Sequence, residues 1–81
     1  MNNDFNKDIK VSVDYSGLKC PLPVLKARRV MKDLTSGDKV KIIADDPASL
    51  LDFKHFCEVS GNELLYSNSE DDKLIFILKK I

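Results

Sequence analysis

Cys20 stands directly before Pro-Leu-Pro in the stretch SGLKCPLPVLKARRVMKDL, which runs from Ser16 to Leu34. The apolar residues that follow it recur at helical spacing, so the thiol falls at the entrance of a helix. With Cys20 at the N-cap, Pro21 takes the first helical position and Pro23 the third, where neither ring displaces an intrahelical N–H bond. Both prolines fix their own φ and restrict the residues before them, Cys20 and Leu22, which makes the entrance stiff. The partial positive charge of a helix N-terminus and the neighbouring Lys19 both favour thiolate over thiol. Thiolate is the form that attacks sulfur and other electrophiles. The chemistry expected at Cys20 is therefore nucleophilic, set against the alternative of a structural cysteine buried as a small apolar side chain.

The other reactive side chains read differently. Cys57 shares an apolar helical stripe with Leu50 and Phe53 and is expected in the core. Pairing it with Cys20 as a redox couple would need the two Cα atoms within ~7 Å, which a separation of 37 positions neither shows nor excludes. His55 is the only histidine and reads as a surface residue rather than a base for Cys20. Asp46 precedes Pro47 and Ala48, so it is expected to cap the second helix, with Pro47 at its first position. Asp45 stays open between a solvated loop acid and a partner contact. Two cysteines and one histidine cannot fill a structural zinc site, and no cofactor-binding motif is visible.

Composition bounds the function classes. The 81 residues carry 13 basic and 13 acidic side chains, for a formal net charge of zero. Whole-surface attraction to nucleic acid is therefore not expected. The charge is uneven, however. Lys19, Lys26, Arg28, Arg29 and Lys32 surround the thiol segment with Asp33 as its only acid. That basic run reads either as a solvated helix face or as a contact surface for partners. No apolar run approaches a membrane span, and the N-terminus lacks the basic and apolar regions of a secretion signal. Together with the low cysteine content, this points to a reducing, cytoplasmic setting.

The elements that must position Cys20 follow from periodicity. Residues 1–8 are polar and expected to be disordered, leaving 9–81 as a single domain. IKVSVDY alternates and reads as a half-buried edge strand. Pro21 to Leu34 forms an amphipathic helix with Gly37 as its stop signal. KVKIIA is a second strand, and a second helix follows from Asp46 to Gly61. ELLYS and KLIFILKK then form a hairpin across the polar turn NSEDD. Leu74 to Leu78 is apolar without a break, which suits a central strand. The expectation is an α/β (α+β) two-layer sandwich, β-α-β-α-β-β, with a mixed four-stranded sheet and two helices on one face.

These residues resemble a known family. DYSGLKCPLPVLKARRVM matches the signature of the TusA, or SirA-like, sulfur-carrier family: an aspartate, a Gly-Leu pair, then Cys-Pro-x-Pro opening the first helix. Here the matching residues are Asp14, Gly17, Leu18, Cys20, Pro21 and Pro23. GDKVKIIADDPAS, carrying Asp45, Asp46 and Pro47, is similar to a second family block, and Phe56-Cys57 falls where TusA has a Phe-Cys pair. The resemblance implies the β-α-β-α-β-β sandwich and a persulfide carried on Cys20. It implies a cysteine desulfurase as donor, with pyridoxal phosphate belonging to that donor. It also implies a downstream relay protein as acceptor, with 2-thiouridine in tRNA as the destination. Related members serve other sulfur routes. Position 22 departs from the pattern: Leu22 stands where TusA has glutamate, beside the thiol and placed to touch partners together with Lys19, Lys26, Arg28, Arg29 and Asp45. The competing readings are a non-catalytic RNA- or protein-binding module and a redox switch built on Cys20 and Cys57.

Overall fold

A computed structural model describes residues 9–81; the expectation for residues 1–8 lies outside the described residues. The elements follow the expected order: β1 (Ile9–Asp14), α1 (Leu22–Lys32), β2 (Lys39–Ala44), α2 (Ser49–Ser60), β3 (Glu63–Glu70) and β4 (Lys73–Lys79). The sheet order is β1-β2-β4-β3. β1 and β2 pair in parallel, and β4 runs antiparallel to both β2 and β3. The sheet is therefore mixed, with alternating β1 at one edge and apolar β4 inside.

The period of each element explains its packing. In β2, Val40, Ile42 and Ala44 are buried while Lys39, Lys41 and Ile43 alternate with them. Phe76 and Leu78 of β4 join the same core, which also takes Ala27 and Met31 from α1 and Phe53 and Cys57 from α2. Both helices thus bury their apolar stripes on one face of the sheet, giving two layers. Phe53 and Phe76 meet with ring centroids 4.8 Å apart at a tilt of 39°, an arrangement aromatic pairs favour.

Three boundaries differ from the sequence reading. α1 begins at Leu22, with Pro21 as N-cap and Pro23 at the second helical position. The Leu22 N–H is already taken by the Lys19 carbonyl at 2.7 Å, and the first helical bond runs from Leu25 N–H to the Pro21 carbonyl at 3.1 Å. Cys20 therefore sits one residue ahead of the cap. That helix ends at Asp33, and Gly37, at φ 95°, belongs to the turn that leads into β2 rather than to the helix stop. α2 begins at Ser49 with Ala48 as N-cap, so Asp46 and Pro47 form the turn before it rather than its cap and first position. Asp46 still serves the helix start, since its Oδ1 accepts from the Ala48 N–H at 3.0 Å and its carbonyl accepts from Ser49 N–H at 2.9 Å.

The hairpin differs as well. β3 continues to Glu70, which pairs with Lys73, so only Asp71 and Asp72 form the turn. Their φ values, 50° and 64°, are both positive, as a type I′ turn requires. Aspartate tolerates this conformation better than most residues. The two-residue turn matches the twist of the paired strands, so the ladder runs through the polar segment that composition alone marks as loop.

Candidate functional site

The site forms where the parallel strands β1 and β2 run out. Two loops leave that end: Tyr15–Pro21 after β1 and Asp45–Ala48 after β2. Their aspartates tie them together. The Gly17 N–H donates to both oxygens of Asp45 at 3.0 Å. The Cys20 N–H donates to Asp46 Oδ2 at 2.8 Å. Gly17 has φ 88°, a left-handed conformation that glycine adopts without a Cβ penalty, and this turns its N–H toward Asp45. Leu18 N–H closes the same turn on the Tyr15 carbonyl at 3.2 Å. Ser16 is held by Asp14 through its N–H at 2.9 Å and its hydroxyl at 2.6 Å, and Lys73 Nζ reaches the Ser16 hydroxyl at 2.8 Å from the hairpin end of β4. Asp45, open in the sequence reading, is thus a brace for the loop that carries the thiol.

Cys20 is exposed and Cys57 is buried; both are free thiols. Burial pushes the Cys57 thiol up to about 11, as an apolar environment disfavours the thiolate. The division of the two cysteines into an accessible and a core residue agrees with their sequence contexts.

The electrostatics at Cys20 run opposite to the sequence expectation. Its thiol is pushed up, first by the Asp52 side chain, then by desolvation and by the negative charges of Asp52 and Asp46. The physical reason lies in the helix entrance. Pro21 and Pro23 have no N–H, and the Leu22 N–H is spent on Lys19, so little of the α1 N-terminus is left to polarise the sulfur. A nearby carboxylate favours the uncharged thiol over the thiolate. Asp46 itself is held below the usual carboxylate range by the N–H groups of Cys20 and Ala48, after which Lys19 contributes by its charge. Asp46 therefore remains an anion beside the thiol.

Asp52 is the residue the sequence reading missed. It lies in the first turn of α2, where an acid is already explained by the helix dipole. Its approach to Cys20 depends on the seating of α2 against α1, which no local pattern reveals. Its Oδ2 is buried without a hydrogen-bond partner among the described residues, as is the hydroxyl oxygen of Ser49, one turn earlier.

Arg28, Arg29 and Lys32 line a shallow depression with Leu25 along the exposed side of α1. Lys26 and Arg29 line a depression with Tyr15, Leu22 and Leu25 on one side of α1. Arg28 also borders a groove between the helices lined by Pro21, Val24, Asp52, His55 and Phe56. Leu22 and Leu25 are exposed despite their apolar side chains, at 44% and 46%. Lys19 and Pro47 are exposed and Pro23 is buried. His55 is an exposed residue of the groove, as its sequence position suggested. Among the described residues, no group of three or more histidine, cysteine or acidic side chains is placed to hold a metal ion, and no helix is long and apolar enough to cross a membrane.

Comparison with known proteins agrees with this architecture. The family model for sulfurtransferase TusA matches residues 11–80. The sulfur carrier protein TusA of Allochromatium vinosum is 42% identical over 73 residues, covering 90% of this chain and 96% of that protein. The crystal structure of a SirA-like protein from Desulfitobacterium hafniense superposes with a TM-score of 0.77 at 21% identity, over 85% of this chain and 95% of that one. At that identity the structural match establishes the fold. The mixed sheet with two helices and the Cys-Pro-x-Pro loop are those of a small sulfur-carrier protein. The chain belongs to the TusA family.

Proposed function

We propose that this protein accepts sulfur on Cys20 from a cysteine desulfurase and hands it to an acceptor protein. The observation that carries the reading is the position of Cys20. It is the exposed one of two free thiols, and it rides on a loop whose backbone is fixed by Asp46 and Asp45. A carrier must present one sulfur to two different partner sites in turn, which an exposed thiol at one end of the sheet permits. The name of the relative in Allochromatium vinosum, a sulfur carrier protein, supports the same role.

The transfer balances as an exchange between two thiols. The Cys20 sulfur attacks the outer sulfur of a donor persulfide, R–S–SH. A new S–S bond forms on Cys20, the donor's S–S bond breaks, and the departing donor thiolate takes up the proton that Cys20 gives away. No external oxidant or reductant is consumed, since the outer sulfur changes carrier without changing oxidation state. An acceptor thiol then repeats the step on the Cys20 persulfide. Lys19, Lys26, Arg28, Arg29 and Leu22 supply charge and apolar contact for partners around the thiol. In this reading the sulfur is destined for 2-thiouridine in tRNA and the relay works in the cytoplasm, as family resemblance suggests.

Intact-mass measurement tests the reading. The protein is mixed with a cysteine desulfurase and cysteine, and its mass is taken without reductant. A gain of one sulfur atom that reductant removes, that Cys20→Ser abolishes and that Cys57→Ser leaves in place, is the expected result. No gain with desulfurases of several types would refute it and turn attention to the basic faces of α1 as a binding surface.

A further inference from the structure

We infer that Lys73 is a positioning residue for sulfur transfer, a role that rests on the carrier reading. Through the Ser16 hydroxyl it ties the β3–β4 hairpin to the loop that carries Cys20, and so fixes where the thiol is presented to a partner. Asp14 Oδ1 accepts from the Ser16 N–H at 2.9 Å and from the Ser16 hydroxyl at 2.6 Å. Lys73 Nζ donates to that hydroxyl oxygen at 2.8 Å, across 57 positions of sequence. A serine hydroxyl has one proton to give and lone pairs to receive with, so it serves both partners at once. Ammonium and carboxylate are joined through it, and hydrogen bonds with an ionised partner are the stronger kind. Asp14 is held below the usual carboxylate range, first by its bonds from Ser16, and stays an anion at the root of the link.

The place of this link in the sheet gives it its task. Asp14 stands in one cross-sheet row with Ile43 and Ile75, and Lys73, two residues before Ile75, shares their face. The helices pack on the other face, where Ile42 and Phe76 join the core. Lys73 therefore reaches Ser16 from the side of the sheet opposite α1 and α2. β2 lies between β1 and β4, so the lysine stem must pass the end of β2 beyond Ala44, the residue paired with Leu74. The other anchors of the thiol loop come from the chain after β2: Gly17 N–H on Asp45 at 3.0 Å and Cys20 N–H on Asp46 at 2.8 Å. Ser16 immediately precedes Gly17, whose φ of 88° turns the chain. The Ser16 anchor thus sets the direction in which that turn leaves the sheet toward Cys20.

An ordinary surface lysine keeps its ammonium in water and its rotamers free. Lys73 is half-buried and held. It touches a serine and not the sulfur, so it acts on the position of Cys20 rather than on its chemistry. Position matters because a displacement of about 1 Å at a reacting group can slow a reaction by about a hundredfold.

The test is the kinetics of sulfur loading of the full-length protein by a cysteine desulfurase, with cysteine saturating and the carrier concentration varied. The natural chain is compared with Lys73→Met, Lys73→Arg, Ser16→Ala and the double variant Ser16→Ala with Lys73→Met. Lys73→Met keeps the stem and removes the donor. It is expected to lower kcat by about tenfold and to leave the KM for the carrier within about twofold, since the exposed residues of α1 are untouched. Lys73→Arg, which keeps a cationic donor, should recover most of the loss. The double variant should load no more slowly than the slower single variant, because both substitutions cut one link. A natural kcat in Lys73→Met, a loss confined to KM, or losses that multiply in the double variant each overturn the inference. Should Lys73→Met fail to fold, Ser16→Ala decides by the same kcat and KM criteria. Amide exchange separates the link from the carrier reading: the Ser16 and Gly17 amides should exchange faster in Lys73→Met and not in Lys73→Arg. A natural chain that never loads sulfur refutes the carrier reading; faster exchange in Lys73→Met then still upholds the link, and unchanged exchange overturns it.

Discussion

The Asp46 carboxylate accepts the backbone N–H of Cys20 at 2.8 Å, joining residues 26 positions apart. Its other oxygen accepts from Ala48 at 3.0 Å. One side chain thus fixes the thiol loop and the start of α2 at once. Asp46→Ala should therefore speed amide exchange at Cys20 and at Ala48 together and lower the melting temperature, whereas Asp46→Asn, which keeps one acceptor, should do less. Amide exchange measured residue by residue checks this; protection kept at both amides in Asp46→Ala would contradict it.

The same bonds give a pH dependence. Asp46, Asp14 and Asp38 are all held below the usual carboxylate range by hydrogen bonds they accept from neighbouring N–H and hydroxyl groups. A carboxyl group depressed in the folded state stabilises it above the unfolded value, 3.8, and that contribution is lost as pH falls through the folded value. Urea midpoints should be flat above about pH 5 as far as these groups are concerned and decline below about pH 4. Asp46→Asn should remove part of the decline.

Cys57 gives the opposite arm. Its thiol is pushed up from 9.0 to about 11 by burial. A thiol raised in the folded state favours folding below the unfolded value, and the advantage is lost as pH rises toward the folded value. Stability should fall between pH 9 and about 11 in the natural chain and fall less in Cys57→Ala. At neutral pH, alkylation of the native protein should mark Cys20 alone, and marking of Cys57 should require denaturant.

Phe53 is fully buried against Phe76 and links α2 to the central strand. Phe53→Ala should cost about 3–5 kcal/mol in denaturant unfolding, with α2 losing its seat.

The Asp71–Asp72 turn is made of residues with positive φ. Asp71→Asn with Asp72→Gly places the preferred type I′ pair there and should stabilise the domain, since glycine takes positive φ without a Cβ penalty. Thermal melts of the double variant check the sign; a loss of stability would show that the aspartates serve another contact.

Periodicity exposes the elements because each rests on contacts that recur along the chain. Val40, Ile42 and Ala44 announce a strand, and Ala27 and Met31 a helix, whatever lies opposite. The turn Asp71–Asp72 is less visible, since the residues before it are polar and only the pairing of Glu70 with Lys73 extends the strand to it. The start of α1 moved by one residue because the Lys19 carbonyl competes for the Leu22 N–H, a local bond that proline spacing does not encode. The thiol's environment was the least legible part. Pro21, Pro23 and Lys19 are next to Cys20 in the chain and suggested an activated thiolate. The groups that decide its protonation, Asp46 and Asp52, come from a loop and a helix that only the folded sheet brings to it.

The molecule has two unlike ends. At one, β1 and β2 deliver Cys20 and the loops beside it. At the other, Gly37 N–H meets the Lys80 carbonyl at 2.7 Å, Lys80 N–H meets Asp38 at 2.8 Å and Lys80 Nζ reaches the Met31 carbonyl at 3.0 Å. A tether attached through Ile81, just past this knot, would hold every copy on a solid support with its sulfur facing outward. A relay rebuilt on such a support, with soluble donor and acceptor passing over it in turn, would turn a diffusing carrier into an oriented, reusable surface.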